Sequence, residues 1–105
     1  MIRFPGGRVW QVEEWIFWGL WQDARPHLKG LPELARRLYP MLDAAEPRLD
    51  LRGAERECVR QLRLLVMLVR RDNLRLKGRN FADLEGFTAY MRALEDLLAL
   101  AAEES

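Results

Sequence analysis

Cysteine and histidine are almost missing from this sequence: Cys58 and His27 each stand alone. A single cysteine excludes an internal disulfide, and the two residues together are too few for a zinc or iron–sulfur ligand set. A general base needs an orienting partner and a nucleophile, and one histidine in Arg25-Pro26-His27-Leu28, read as a loop, announces neither. Cys58 falls at helical spacing between Ala54 and Leu62, the place of a small core residue rather than a nucleophile. The residues predict no catalytic group, no metal site and no cofactor.

Long apolar runs are missing as well. They reach six residues, as at 64–69, against the ~20 that cross a bilayer. The first residues lack the cationic start and apolar stretch of a secretory signal, so a cytoplasmic protein without a membrane span is expected. An excess of charge of either sign is absent too: 17 basic residues face 16 acidic ones, for a net +1. The whole-molecule field therefore draws in neither nucleic acid nor an anionic membrane. There is no glycine-rich loop with Gly-Lys-Ser/Thr for phosphate and no Glu-x-x-His pair for a di-iron bundle. Adjacent acids such as Glu13-Glu14, Glu95-Asp96 and Glu103-Glu104 diverge by about 100° on a helix and do not converge on a metal. Lysine is scarce, with 15 arginines to 2 lysines, a bias of GC-rich bacterial genomes.

What is present suits one globular domain. The 105 residues are 50% hydrophobic and 31% charged, far from a disordered composition, and support one core. The pattern predicts an all-α bundle of four to five helices. Residues 1–8, with Pro5-Gly6-Gly7, read as a short extended arm with at most a β-bridge. Helix is expected over 9–24, ended by Arg25-Pro26. Pro32 and Glu33 open a segment over 32–46, which Pro40 should divide into pieces 32–39 and 40–46. A long central helix follows over 51–77, capped by Asp50 and stopped at Gly78. A last amphipathic helix over 81–103, capped by Asn80, closes an antiparallel hairpin, with Leu84, Phe87, Tyr90, Met91, Leu94, Leu97, Leu98 and Ala101 facing the central helix.

Two features stand out. All four tryptophans, Trp10, Trp15, Trp18 and Trp21, lie within twelve residues, on a helix apolar on nearly every side. Such rings fill a small core or form the centre of a protein interface, where tryptophan is enriched; a membrane-surface helix is the third reading, disfavoured by Glu13 and Glu14 on the polar positions. The central helix has the same surplus, since Leu64, Met67, Leu68 and Leu74 extend apolar character beyond its main stripe. Charge is also segregated: residues 48–79 carry ten basic and four acidic side chains, and 80–105 one and six. Arg56, Arg60, Arg63, Arg70 and Arg71 share one side of the central helix. That stripe is either a solvated face offset by its acidic neighbour or a track for a phosphate backbone, although Met67 and Leu74 interrupt it and no aromatic offers stacking.

The expected function is accordingly non-enzymatic: a protein–protein interaction module, such as an adaptor, an immunity-type protein or a complex subunit. Its contact surface would comprise Trp10, Trp15, Trp18, Trp21, Leu64, Met67 and Leu68, with arginines at the rim. The partner would be another protein or a second copy, a dimer being the expected oligomer. The alternative is a nucleic-acid-binding subunit using the five arginines, and a third reading is a Trp-lined pocket for an apolar ligand.

Overall fold

A computed structural model describes residues 1–76 and 83–105. Its N-terminal residues do more than form an arm. Phe4-Pro5-Gly6-Gly7 makes a tight turn in which the Gly7 N–H donates to the Phe4 carbonyl (3.0 Å), with Gly7 at φ 94°, a conformation that suits glycine. The turn folds β1 (Ile2–Arg3) antiparallel onto β2 (Val9–Trp10). On its other edge β1 pairs in parallel with β3 (Leu49–Asp50), completing a sheet of order β2-β1-β3. Alternation sets the register: Ile2 and Phe4, like Leu49 and Leu51, point inward and are buried.

Helix α1 spans Glu14–Ala24 and so begins later than its apolar content predicts, because Val9 and Trp10 belong to β2. The Glu13 carbonyl receives the N–H groups of Ile16 and Phe17 at the entry. Ile16, Phe17, Leu20, Trp21 and Ala24 form its buried face. A 3₁₀ turn, Arg25–Gly30, with Pro26 near its start, leads to α2.

The expected break at Pro40 does not occur: α2 is one helix, Pro32–Ala44. Pro40 cannot donate to the Arg36 carbonyl, but both residues are exposed, where water satisfies that carbonyl. The opposite face, Leu34, Ala35, Leu38 and Met41, is buried and keeps the helix continuous through the missing bond. The N-terminus of α2 lacks a side-chain cap of its own. Its orphan Leu34 N–H instead donates to the buried Gln61 Oε1 (3.0 Å) from the next helix. At the other end Ala45 takes the left-handed conformation, φ 55°, ordinarily given to glycine.

Helix α3 spans Arg56–Leu76, shorter than the expected 51–77. Residues 49–50 are strand, and Gly53 at φ 77° turns the chain before the helix starts. Asp50 does not cap α3, because its carboxylate accepts the backbone and side-chain N–H groups of Arg52. Cys58, Leu62, Leu65, Val66 and Val69 are buried, and α1, α2 and α4 all pack on this helix. Helix α4 spans Leu84–Glu104 and packs most extensively on α3. The cap is Asp83, whose carboxylate accepts the Gly86 N–H. Asn80, like Lys77 and Gly78, lies outside the described residues. Tyr90, Met91, Leu94, Leu97 and Ala101 are buried as their spacing predicts, but Leu84 is 77% exposed in the first turn.

The architecture is thus mainly helical with a small three-stranded sheet. The sheet is tied to α4 by Trp10, whose Nε1 donates to the Ala93 carbonyl (3.0 Å). Two stability effects follow from the end groups of α2. Gln61→Met leaves the Leu34 N–H buried without an acceptor and is expected to cost about 1–3 kcal/mol in urea unfolding. Ala45→Gly removes a left-handed alanine, and after the added freedom of the unfolded chain a net gain of about 0.5 kcal/mol is expected. An unchanged midpoint in either variant would show that the corresponding end of α2 is stabilised in another way.

Candidate functional site

The tryptophans separate into two pairs. Trp10 and Trp21 are each 3% exposed and belong to the core of one protomer, so neither presents a surface to a partner. Phe17 stacks edge-on against both Trp18 and Trp21, with centroids 5.2 and 5.7 Å apart. Trp18 is half-buried, and Trp15 is 45% exposed, its Nε1 held by the Glu13 carboxylate (3.0 Å). Trp18, Trp21, Gln22, Arg25 and Leu42 line a shallow cavity of about 270 Å³. The Trp21 Nε1 is itself enclosed and has no acceptor among the described residues, a burial that costs about 1–3 kcal/mol.

Spacing alone did not reveal a polar knot between the end of α1, the 3₁₀ turn, α3 and α4. Asp23 Oδ2 accepts from Asn73 Nδ2 (3.0 Å) and from the Tyr90 hydroxyl (2.9 Å). Asn73 also donates to the Val69 carbonyl (2.9 Å). Burial, with the Asp23 charge and hydrogen bond behind it, pushes the Tyr90 phenol far above the ordinary tyrosine range, which fixes it as a neutral donor. Beside the knot, His27 Nε2 meets Asp72 Oδ2 at 2.7 Å. Burial raises the Asp72 carboxyl, but the bonds from His27 and Arg71 outweigh it and hold the group below the usual carboxylate range. A signal for the knot did exist: Asn73 continues the buried series Leu62, Val66, Val69 at helical steps, as Gln61 continues Cys58 toward Leu65.

This knot joins elements and offers little chemistry. No nucleophile is hydrogen-bonded to His27 among the described residues. The Cys58 thiol is buried, and that burial pushes its pKa up, away from a reactive thiolate. Among the described residues no group of three or more His, Cys, Asp or Glu side chains could hold a metal ion. No described helix is long and apolar enough to cross a membrane.

The exposed side of α3 is different. Leu64, Met67 and Leu74 are 38%, 48% and 48% exposed, and Leu68 is half-buried beside them. Between α3 and α4 runs a groove in two stretches that share Met67, Arg70 and Leu98. One, of about 430 Å³, extends to Leu74 and Arg75; the other, of about 360 Å³, extends to Arg63 and Ala102. The small side chains of Ala99 and Ala102 keep the α4 wall low. No family model, curated protein or solved structure matches this chain. The groove must therefore be read from its own chemistry.

The five arginines of the stripe are not equivalent. Arg60 forms a forked pair with Glu57 (2.7 and 2.5 Å), which draws the Glu57 carboxyl down to about 2. Arg71 is bonded to Asp72 (3.2 Å), and Arg70 reaches Glu95 on α4 at 3.3 Å. Arg56 and Arg63 are exposed and have no acidic partner among the described residues.

The carboxyls of Asp50, Glu57 and Asp72 are all depressed by basic partners. A depressed carboxylate stabilises the fold above its unfolded pKa and ceases to do so as pH falls through the folded value. The stability that these three carboxylates add is therefore expected to be fully present above about pH 5 and to be lost progressively below about pH 4. Asp72→Asn should flatten part of that acid limb, measured as urea midpoint against pH. An acid limb of unchanged slope would show that the His27–Asp72 pair adds nothing to folding.

Proposed function

We propose that this chain is a non-enzymatic protein-binding module, an adaptor, immunity-type protein or subunit of a larger assembly, that docks through the outer face of α3 and α4. One observation carries the reading. Leu64, Met67 and Leu74 lie exposed at helical spacing along α3, with Leu76 exposed at its last residue, while the other large apolar side chains of the helix are buried or half-buried. A strip of this kind, bordered by polar groups, is how soluble proteins present an interaction surface. Met67 suits the role because an unbranched thioether adapts to the shape of its partner. Trp15 and Trp18 lie on α1 and supply a second, smaller apolar area; Trp10 and Trp21 take no part.

The second reading, nucleic-acid binding by the arginine stripe, draws support from the unpaired Arg56 and Arg63. Against it, Arg60, Arg70 and Arg71 are already engaged by carboxylates. Met67 and Leu74 would also have to face phosphates.

The test compares the chain with its Leu64→Gln, Met67→Gln, Leu74→Gln variant in extracts of the cells that express them. Surface changes of this kind should alter folding stability by about 0.5 kcal/mol or less per site. The parent chain is expected to elute in an assembly well above 12.4 kDa, and the variant to elute free. Nuclease treatment should leave the assembly intact. Elution of both proteins at the free size would remove the protein-binding reading, and dissolution by nuclease would transfer support to the arginine stripe.

A further inference from the structure

We infer that the α3–α4 groove receives an amphipathic helix from another protein, with apolar residues on its buried face and carboxylates along its edges. This rests on the reading of that face as a docking surface, and it specifies the occupant.

The dimensions come first. On α3 the groove runs from Arg63 to Arg75, roughly 18 Å at 1.5 Å per residue, about three turns of a docked helix. Met67 and Leu74 line the groove seven residues, about two turns, apart, and Leu64 lies exposed three residues before Met67, a spacing that matches the anchors of an incoming helix. Leu98 forms the floor, and the alanines on the α4 side allow close approach.

Charge then selects among occupants. Arg63, Arg70, Arg71 and Arg75 border the groove, and Glu95 is the sole acid lining it among the described residues. Arg63 and Arg75 have no ion pair among the described residues. Arg70 is only partly engaged, since its one contact with Glu95 is long, at 3.3 Å. The rim thus carries more cationic donors than acceptors, and a partner helix with glutamates beside its apolar anchors completes them.

The same arithmetic disfavours a second copy. A two-fold axis through Met67 with the α3 helices antiparallel sets Arg63 against Arg71 and Leu64 against Arg70. A two-fold axis along the helices sets Arg63 against Arg63 and Arg71 against Arg71. Either arrangement brings guanidinium to guanidinium, with no carboxylate from the strip between them. Neither of these two arrangements supplies complementary charge along α3 for the dimer expected from the apolar surplus.

The test uses the purified 105-residue chain, fluorescence anisotropy and three labelled, stapled helical peptides of equal length. One has leucines at three- and four-residue steps flanked by glutamates, one replaces the glutamates by lysines, and one replaces the leucines by alanines. The Glu–Leu helix is expected to bind about ten-fold or more tightly than either control. The preference over the lysine peptide should fall with added salt and with Arg63→Glu plus Arg75→Glu. Circular dichroism confirms that these surface variants remain folded. Equal binding of the glutamate and lysine helices would overturn the acidic partner while leaving the docking face in place. A two-chain mass in light scattering that Met67→Glu reduces to one chain would likewise replace the helix by a second copy. Tighter binding of a short DNA duplex, lost in the arginine variants, would assign the face to nucleic acid. A monomer that binds none of these probes would remove both the partner helix and the docking surface.

Discussion

Helix α3 is the surface on which α1, α2 and α4 all pack, and the rest of the molecule is arranged around that constraint. Leu62, Leu65, Val66 and Val69 lose essentially all contact with water. Each such side chain contributes about 1.5–3 kcal/mol of transfer free energy before entropy is counted. Three partners cover three sides of a helix; the fourth side stays wet. Because α3 is apolar on more than three sides, the uncovered side is where Leu64, Met67 and Leu74 come to lie. The groove is thus a geometric remainder of the packing, and its composition determines whether it is a liability or a binding site.

Polar groups enter the core only where helix ends or junctions require them. Gln61 supplies an acceptor to the uncapped start of α2. Asn73 and Tyr90 converge on Asp23, so one carboxylate joins the end of α1 to the C-terminal part of α3 and to α4. Hydrogen bonds to a charged acceptor are about twice as strong as neutral ones, and the burial cost of each donor is met in the same place. The knot fixes the position of α4 relative to α3 at one end, and the Trp10–Ala93 bond ties α4 to the sheet. The two walls of the groove are in this way held by interactions remote from the groove itself.

How much of this was legible in the sequence depended on range. Helical periodicity marked the buried faces of α3 and α4 nearly residue by residue, because a 3.6-residue repeat is a local property. The sheet was not visible: β1 pairs with a strand 47 positions away, and nothing local in Ile2–Arg3 or Leu49–Asp50 specifies that partner. Pro40 misled because propensity was read without the outward direction of the broken bond. The tryptophan cluster was ambiguous for a related reason. A helix apolar on every side is buried if enough chain surrounds it, and only the fold shows that β2 carries Trp10 inward while Trp15 remains outside. The arginine stripe was correctly located on α3, but its carboxylate partners on α4 and within α3 required coordinates to assign.

An apolar strip on a free helix face ordinarily invites non-specific association, and the arginines change that outcome. Guanidinium groups at both borders repel any like-charged copy that approaches in a two-fold manner, while their planar donors match a carboxylate fork. The apolar centre supplies most of the attraction and almost no discrimination, since any greasy surface satisfies it equally. The rim supplies discrimination at little cost in affinity, because exposed ion pairs are worth only about 0–1 kcal/mol each when made but like charges are penalised when forced together. On the proposed docking, specificity on this face arises more from what the arginines refuse than from what they bind. A side chain as adaptable as Met67 at the middle of the strip is tolerable only because its neighbours restrict which helices arrive there.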